Sequence, residues 1–317
     1  MQYRKLGKSD LVCSVIGLGT WPMSGNAYGQ VDDAQSIGAI RASVEMGVNF
    51  IDTAPAYGRG HSEEVLGKAL KEIGREKVIV ATKFGNRFEN GRYVRDGSAQ
   101  CIRDCIEQSL RRLGTDYIDL WQWHWPDPHT PIAVSMEEVA KHVEKGEVRY
   151  VGVSNFDGAL MDEVRKYVPI VSLQPPYSLL DRAFEDSIQS YCIENELGVL
   201  SYGSIGSGIL SRKYSLENRP QFPQGDSRAG FYSRFYTAEA WPKVCAMVDV
   251  LRGIAAAHGA PTVSAAINWV LAQKGVTLAL VGAKTDAQAR QNAAAADWSL
   301  SQEELAQIEK AYGEIFK

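Results

Sequence analysis

Four side chains in this sequence could act together on a proton: Asp52, Tyr57, Lys83 and His124. Asp52 closes the apolar run VNFID (48–52), and Tyr57 follows shortly after in APAYGRG. Lys83 ends KVIVATK (77–83), and His124 ends YIDLWQWH (117–124). Each polar group arrives at the end of a run apolar enough to be buried. A carboxylate in that position is costly unless a cation answers it. Lys83 supplies one, and a Lys–Asp pair offsets the desolvation of both partners. The pair would serve Tyr57, because a phenol titrates near about 10 and an adjacent ammonium favours its phenolate. Tyr57 then becomes a proton donor, and His124 can point a ring N–H at a carbonyl. The sequence leaves open which ring nitrogen carries the proton. Singly, each residue has a plainer reading: a turn cap for Asp52, a surface charge for Lys83, a loop aromatic for Tyr57, a hydrogen-bonded core residue for His124. Surface placement does not explain these types at consecutive strand ends.

Such an arrangement needs strands that end on one face. Besides the three runs above, core strands are expected at 14–19, 148–154, 169–174, 198–203 and 277–282, eight in all. They are apolar at nearly every position, as in a parallel sheet covered on both sides. Helical periodicity fills the gaps. One helix starts at Asp32 or Asp33 and stops at Gly47, one runs from a Ser62 cap to Gly74, and one from Ser98 to Gly114. Others are expected at 136–146, 157–167, 185–198, 238–259, 262–275, 285–297 and 301–313. Eight strand–helix units over this length define a single-domain (β/α)8 TIM barrel spanning 1–317, with extra C-terminal helices. The competing doubly wound sheet would carry GxGxxG after its first strand, and GLGTWPMSG (17–25) does not fit. MQYRKLGKSDLVCS reads as an N-terminal β-hairpin turning at 7–10, placed to plug the barrel bottom. In such a barrel Ser154, Asn155 and Gln174 join the tetrad on the C-terminal face.

The 317 residues are 45% hydrophobic and 23% charged, with a net charge of -4, which argues against a nucleic-acid surface. No segment is long and apolar enough for a membrane, and MQYRKLGKSD has no apolar run behind its charges to make a secretory signal. Five scattered cysteines suit a reducing compartment, so the reading is a cytoplasmic protein with free thiols. Cys101 and Cys105 lie four apart, but without further ligands at metal spacing they read as two small residues on one helix face; no metal is expected.

The motifs that carry these residues resemble those of the aldo-keto reductases, in the family's order and across 1–317. IDTAPAYGRGHSEEVLGKAL resembles the strand-two motif DTAxxYGxxxSExxLGxAL, and VIVATKFG the lysine motif. LRRLGTDYIDLWQWHWPD, VRYVGVSNF and LVGAKTDAQARQNAAAAD resemble the histidine, SNF and C-terminal cofactor elements. LQPPYSLLDR and FPQGDSR look nearest to the bacterial branch with the inositol-cluster and general-stress reductases. The resemblance implies a nicotinamide cofactor without a Rossmann domain, and hydride transfer to an aldehyde, ketone or sugar with Tyr57 as general acid. Asp52, Lys83 and His124 match the rest of the tetrad.

It also implies cofactor positions. Gly19, Thr20 and Trp21 match the first-strand loop beside the nicotinamide, with Asp52 close by. Ser154, Asn155 and Gln174 match the carboxamide partners, and Tyr202 the stacking aromatic. Gly203, Ser204, Ile205 and Gly206 match the pyrophosphate stretch, departing from the common S-P-L. Gly282, Lys284 and Thr285 lead into a helix with Gln288, Gln291 and Asn292. Lys284, with no acid in its place, favours NADP(H) over NAD(H), because a 2′-phosphate prefers cations and helix N-termini; nearby Asp286 counts against. Trp21, Tyr57, His124 and Trp125 are the substrate residues, with Tyr28, Phe156 and the long loop 211–237 as further walls. Arg219, Arg228 and Arg234 in that loop could bind cofactor phosphates, contact a polar substrate or face solvent, and the loop could order over bound cofactor. Alternation along its strand sends Trp121 and Trp123 outward, away from His124. Partners are a small carbonyl or alcohol substrate, with no nucleic acid and no membrane; the oligomeric state is left open. Two other classes share the fold: a cofactor-binding regulatory subunit of the potassium-channel β kind, with slow or vestigial redox activity, and a barrel lyase or isomerase.

Overall fold

Strand Ile118–Trp123 shows how the sequence divides itself between two layers. Trp121 and Trp123 point outward and are fully buried among Phe84, Met136 and Val139 under the helices. Leu120 points inward, packed with Phe50, Ala81, Leu200 and Leu278. Side chains alternate along a strand, so one run of apolar residues fills both the barrel and the shell around it. The computed structural model describes residues 1–25, 28–29, 31–223 and 225–316.

Eight parallel strands close into a barrel in chain order: Ile16–Gly19, Phe50–Asp52, Ile79–Phe84, Ile118–Trp123, Val148–Ser154, Ile170–Gln174, Gly198–Ser201 and Val276–Gly282. The last pairs with the first, Gly282 opposite Gly19, so the sheet has no free edge. All eight expected strands form, with ends shifted by no more than two residues. The register sets Gly19 opposite Asp52, Lys83 opposite Gln122, and Gln174 opposite Ser154, which brings the polar strand ends to one rim.

The N-terminal hairpin pairs Tyr3–Lys5 with Val12–Ser14 and does plug the bottom. Leu6, Leu11 and Cys13 close the interior cluster from below. Gly7 makes that seal: it has φ +51°, and a Cβ there would lie 2.3 Å from the Val171 carbonyl.

Helix starts mostly follow the sequence. Asp32 accepts from the Gln35 N–H and Ser98 from the Cys101 N–H, while Gly114 ends its helix in the left-handed region. Ser62 is a correction. That helix spans His61–Ile73 with Gly60 as cap, and the Ser62 hydroxyl donates inward to the Thr20 carbonyl at 3.0 Å. Burial turned a residue of capping type into a tie between the helix and the first strand's loop. After the barrel closes, Gln302–Phe316 packs on Ala240–Ala257 as an extra C-terminal layer.

A hairpin at the rim lies outside the expected pattern, as does a short helix, Ser227–Phe231, within the loop 211–237. Asn86–Glu89 and Arg92–Arg95 form an antiparallel hairpin directly after the third barrel strand. Its turn residues Asn90 and Gly91 both have positive φ, at +50° and +81°. Asn-Gly is the strongest short hairpin signal. The flanks NRFE and RYVR hide it, being polar where a core strand would be apolar.

Candidate active site

The Lys83 ammonium is the hub of the C-terminal rim. The side chain is fully buried, and Nζ donates to Asp52 Oδ1 at 2.7 Å, the Thr53 carbonyl at 2.9 Å and the Tyr57 hydroxyl at 3.1 Å. All three of its hydrogens are thereby used. Asp52 Oδ2 accepts from Gln174 Nε2 at 2.8 Å and Gln122 Nε2 at 3.1 Å, so both carboxylate oxygens are engaged. Burial lowers the Lys83 pKa, and Asp52 works against that fall.

Tyr57 departs from the expected electrostatics. Its pKa lies well above 10 rather than below, raised first by burial and then by the Asp52 charge. Lys83 does touch the hydroxyl, but Lys83 and Asp52 together are nearly neutral, so the phenol feels a dipole instead of a bare cation. The Tyr57 and His124 rings meet almost at right angles, 6.0 Å apart. His124 has a pKa well below 6.5, through burial and then the Lys83 charge, and its ring is neutral near pH 7. Its Nδ1 lies 3.1 Å from Asn86 Nδ2.

A cavity of about 530 Å³ opens above these groups. Gly19, Trp21, Asp52, Tyr57, His124 and Trp125 line one end, and Ser154, Asn155, Gln174 and Tyr202 the middle. Gly203, Ser204 and Ile205 continue the wall toward Gly282, Lys284, Gln288, Gln291 and Asn292. Four residues expected at the site do not face the cavity. Lys83 lies beneath the floor. Thr20 is buried, and its N–H donates to the Asp52 carbonyl at 2.9 Å. Gly206 closes a turn onto the Gly203 carbonyl, which passes the wall to Ser207 and Gly208. Thr285 caps its helix by accepting from the Gln288 N–H. Phe156, expected as a pocket wall, is instead buried against Trp123 at 5.3 Å.

The middle of the cavity is held by Asn155, whose backbone is left-handed at φ +62°. Asn155 Nδ2 donates to the His124 carbonyl and to Ser154 Oγ, both at 3.0 Å, and Oδ1 accepts from the Tyr202 hydroxyl at 2.9 Å. Gln174 Nε2 is spent on Asp52 and on Gln122 Oε1 at 3.2 Å. Acceptor capacity therefore remains at Asn155 Oδ1 and Gln174 Oε1, which fits the N–H₂ of a carboxamide beside the Tyr202 ring.

The far end is cationic. Lys284 Nζ donates to the Tyr28 carbonyl at 2.6 Å, and Gln288 and Asn292 brace the same loop through the Lys284 N–H and the Gly282 carbonyl. Arg228, from loop 211–237, lies over the Tyr28 and Phe222 rings and pairs with Asp226 at 2.6 Å. The Lys284 pKa is lowered by burial and then by Arg228; Asp226 opposes this and Lys213 adds to it. Of the other loop arginines, Arg234 pairs with Asp181 at 2.7 Å. Cys101 and Cys105 Sγ atoms are 3.9 Å apart, and among the described residues no three His, Cys, Asp or Glu side chains form a metal-holding group.

Gln122 and Asn86 are among the site residues absent from the sequence reading, as are Ser207 and Gly208. Gln122 had a signal: it precedes His124 by two and so shares the inward face with it. Asn86 had none beyond its place after a strand end.

A closed parallel barrel with a Lys–Asp–Tyr–His rim above a long cavity defines a class. Residues 15–313 match the sequence model of the Aldo/keto reductase family, and the chain belongs to that family. Its members are oxidoreductases that use nicotinamide cofactors and act on small carbonyl compounds. The chain is 37% identical over 309 residues to Aldo-keto reductase YhdN of Bacillus subtilis (strain 168), covering 97% of this chain and 92% of that protein. It is 32% identical over 311 residues to the NADH-specific methylglyoxal reductase of Escherichia coli (strain K12), covering 93% and 94%. The structure of the glycerol dehydrogenase AKR11B4 from Gluconobacter oxydans superposes with a TM-score of 0.90 at 35% identity, over 99% of this chain and 96% of that one. No helix among the described residues is long and apolar enough to cross a membrane.

Proposed function

We propose that the chain is an NADP(H)-dependent carbonyl reductase and alcohol dehydrogenase for small aldehydes, ketones or sugars, acting in the cytoplasm. The observation that carries the reading is the buried Lys83 ammonium held between Asp52 at 2.7 Å and the Tyr57 hydroxyl at 3.1 Å, just beneath the floor of the cavity. Nicotinamide, when bound, supplies or accepts the hydride. Asn155 Oδ1 and Gln174 Oε1 would accept from its carboxamide N–H₂, and Tyr202, on the same stretch of wall, would back the ring. Tyr57 donates a proton to the carbonyl oxygen during reduction and takes it back as phenolate during oxidation. Its high pKa keeps the donor form filled. His124, neutral, donates a ring N–H to the same oxygen. Trp21, Trp125 and Phe231 give the substrate end apolar walls over a polar floor. That suits short carbonyl compounds, in keeping with the named activities of the relatives.

NADP(H) is favoured by charge. Lys213, Arg228 and Lys284 gather at one end of the cavity, with Asp226 opposing the other two charges at Lys284. A 2′-phosphate there would relieve their repulsion and gain charge-assisted hydrogen bonds. The NADH-specific relative makes this preference the point to test. Purified protein titrated with NADPH and NADH by tryptophan fluorescence, then supplied with a panel of aldehydes, should bind NADPH more tightly and oxidise it. Binding of neither cofactor overturns the proposal, and stronger NADH binding overturns its cofactor half.

A further inference from the structure

Asn86 has no part in the scheme above, yet its amide is the partner that Nδ1 of His124 has among the described residues. We propose that Asn86 is a positioning residue: its Nδ2–H₂ donates to His124 Nδ1 and so holds the imidazole as the tautomer protonated on Nε2, the nitrogen that faces the cavity.

The geometry leaves the ring little other choice. The His124 backbone is pinned on both sides, its N–H donating to the Phe84 carbonyl at 3.0 Å and its carbonyl accepting from Asn155 Nδ2 at 3.0 Å. The ring lines the cavity opposite Tyr57, and no residue described here bonds its Nε2. A neutral imidazole carries one proton, and a donor at Nδ1 forces that proton to Nε2. The charged and titratable groups around it are Lys83, Asp52 and Tyr57. None of the three hydrogen-bonds a ring nitrogen of His124, so none of them fixes the tautomer as Asn86 does.

Asn86 is itself well placed to be rigid. It opens the rim hairpin, paired with Arg95, immediately after Gly85. Gly85 turns the chain with φ +88°, and a Cβ there would lie 2.6 Å from the fully buried Trp123 ring. The turn therefore aims Asn86 back over the end of the histidine strand. The reversed amide would accept from Nδ1–H, leaving an Nε2 lone pair facing a carbonyl oxygen, which repels it.

The tautomer stands independently of the reductase reading; its kinetic consequence rests on that reading. The experiment is ¹⁵N NMR of the full chain labelled at histidine, with the His124 resonances assigned by their loss in His124→Asn. The expected pattern is a protonated Nε2 and an unprotonated Nδ1. In Asn86→Asp at pH 8 the carboxylate can only accept, and the pattern should invert. Carbonyl reduction should fall in kcat by about 10²–10³-fold, the loss seen when an oxyanion donor is removed, with KM changed far less. Asn86→Leu, which imposes neither tautomer, should lose less. A residue that merely fills space predicts the opposite order, because Asp is isosteric with Asn and Leu is not. An Nδ1-protonated ring in the wild type, or no inversion in Asn86→Asp, overturns the proposal. Inversion with kcat unchanged supports the tautomer and overturns the donor role of His124.

Discussion

Tyr57→Phe removes one oxygen and little else. Lys83 Nζ loses its 3.1 Å contact but keeps Asp52 Oδ1 and the Thr53 carbonyl, and the ring stays 4.8 Å from the ammonium. A hydrogen bond to a charged group is worth about 1.5–3 kcal/mol. With two of three contacts retained, stability should fall toward the low end of that range, and Tm by only a few degrees. Loss of a general acid costs about 10²–10⁴-fold, or about 2.7–5.5 kcal/mol in activation free energy. The variant should therefore bind NADPH almost as the wild type does while reducing aldehydes orders of magnitude more slowly, read as loss of NADPH absorbance. The wild type makes a second check through pH. With the phenol pKa well above 10, its acid form is complete through about pH 6–9, so this group leaves kcat/KM for reduction flat. Oxidation needs the phenolate, and kcat/KM for the alcohol should climb throughout that window. Wild-type turnover by Tyr57→Phe, or an oxidation profile levelling near neutral pH, would refute the assignment.

Lys284→Ala should weaken NADPH by about tenfold or more and NADH much less, a charge-assisted contact being lost from one cofactor alone; equal losses in parallel titrations would remove the proposed phosphate role. Gly85→Ala should destabilise by more than about 1 kcal/mol, from a side chain at positive φ and from its 2.6 Å approach to Trp123; unchanged urea unfolding would contradict the close packing of that turn. Asp127 is buried, which raises its pKa, but the Thr130 hydroxyl and the N–H groups of Gly97 and His129 bring it below the usual value. Its contribution is therefore present above about pH 4 and lost as pH falls through the lowered pKa. Asp127→Asn should be less stable than wild type at pH 7, with the gap narrowing toward pH 3; a gap that widens on acidification would reverse the sign.

Much of this site is legible because barrel geometry turns chain order into position. Once eight apolar runs are recognised as parallel strands, the residue after each run falls on one rim, and Asp52, Lys83, His124, Ser154 and Gln174 are collected without any knowledge of distance. Tyr57 follows from its short tether to Asp52. Trp121 and Trp123 are placed in the outer shell by parity alone, where the structure has them. Parity would have given Gln122 as well. Ser62 misled because capping preference is local, whereas its hydroxyl answers a carbonyl forty-two residues away. The rim hairpin was missed because its pairing rests on an Asn-Gly turn between polar flanks, with no buried face to create a pattern.

Strand order, the barrel, the polar rim and the family resemblance are all readable along the chain, since they rest on periodicity and motif order. Tertiary structure decided what those groups feel. The sign of the Tyr57 shift depends on burial and on the balance between Lys83 and Asp52, both set by packing from separate strands. Whether Thr20, Gly206 and Phe156 face the cavity is decided by the path of loops, in which no residue repeat fixes direction. The Asn86 contact on His124 joins residues thirty-eight apart through a glycine turn and the wall of a buried tryptophan. A hydrogen bond of that kind depends on angles and tenths of an ångström, which the chain acquires only when the whole barrel closes.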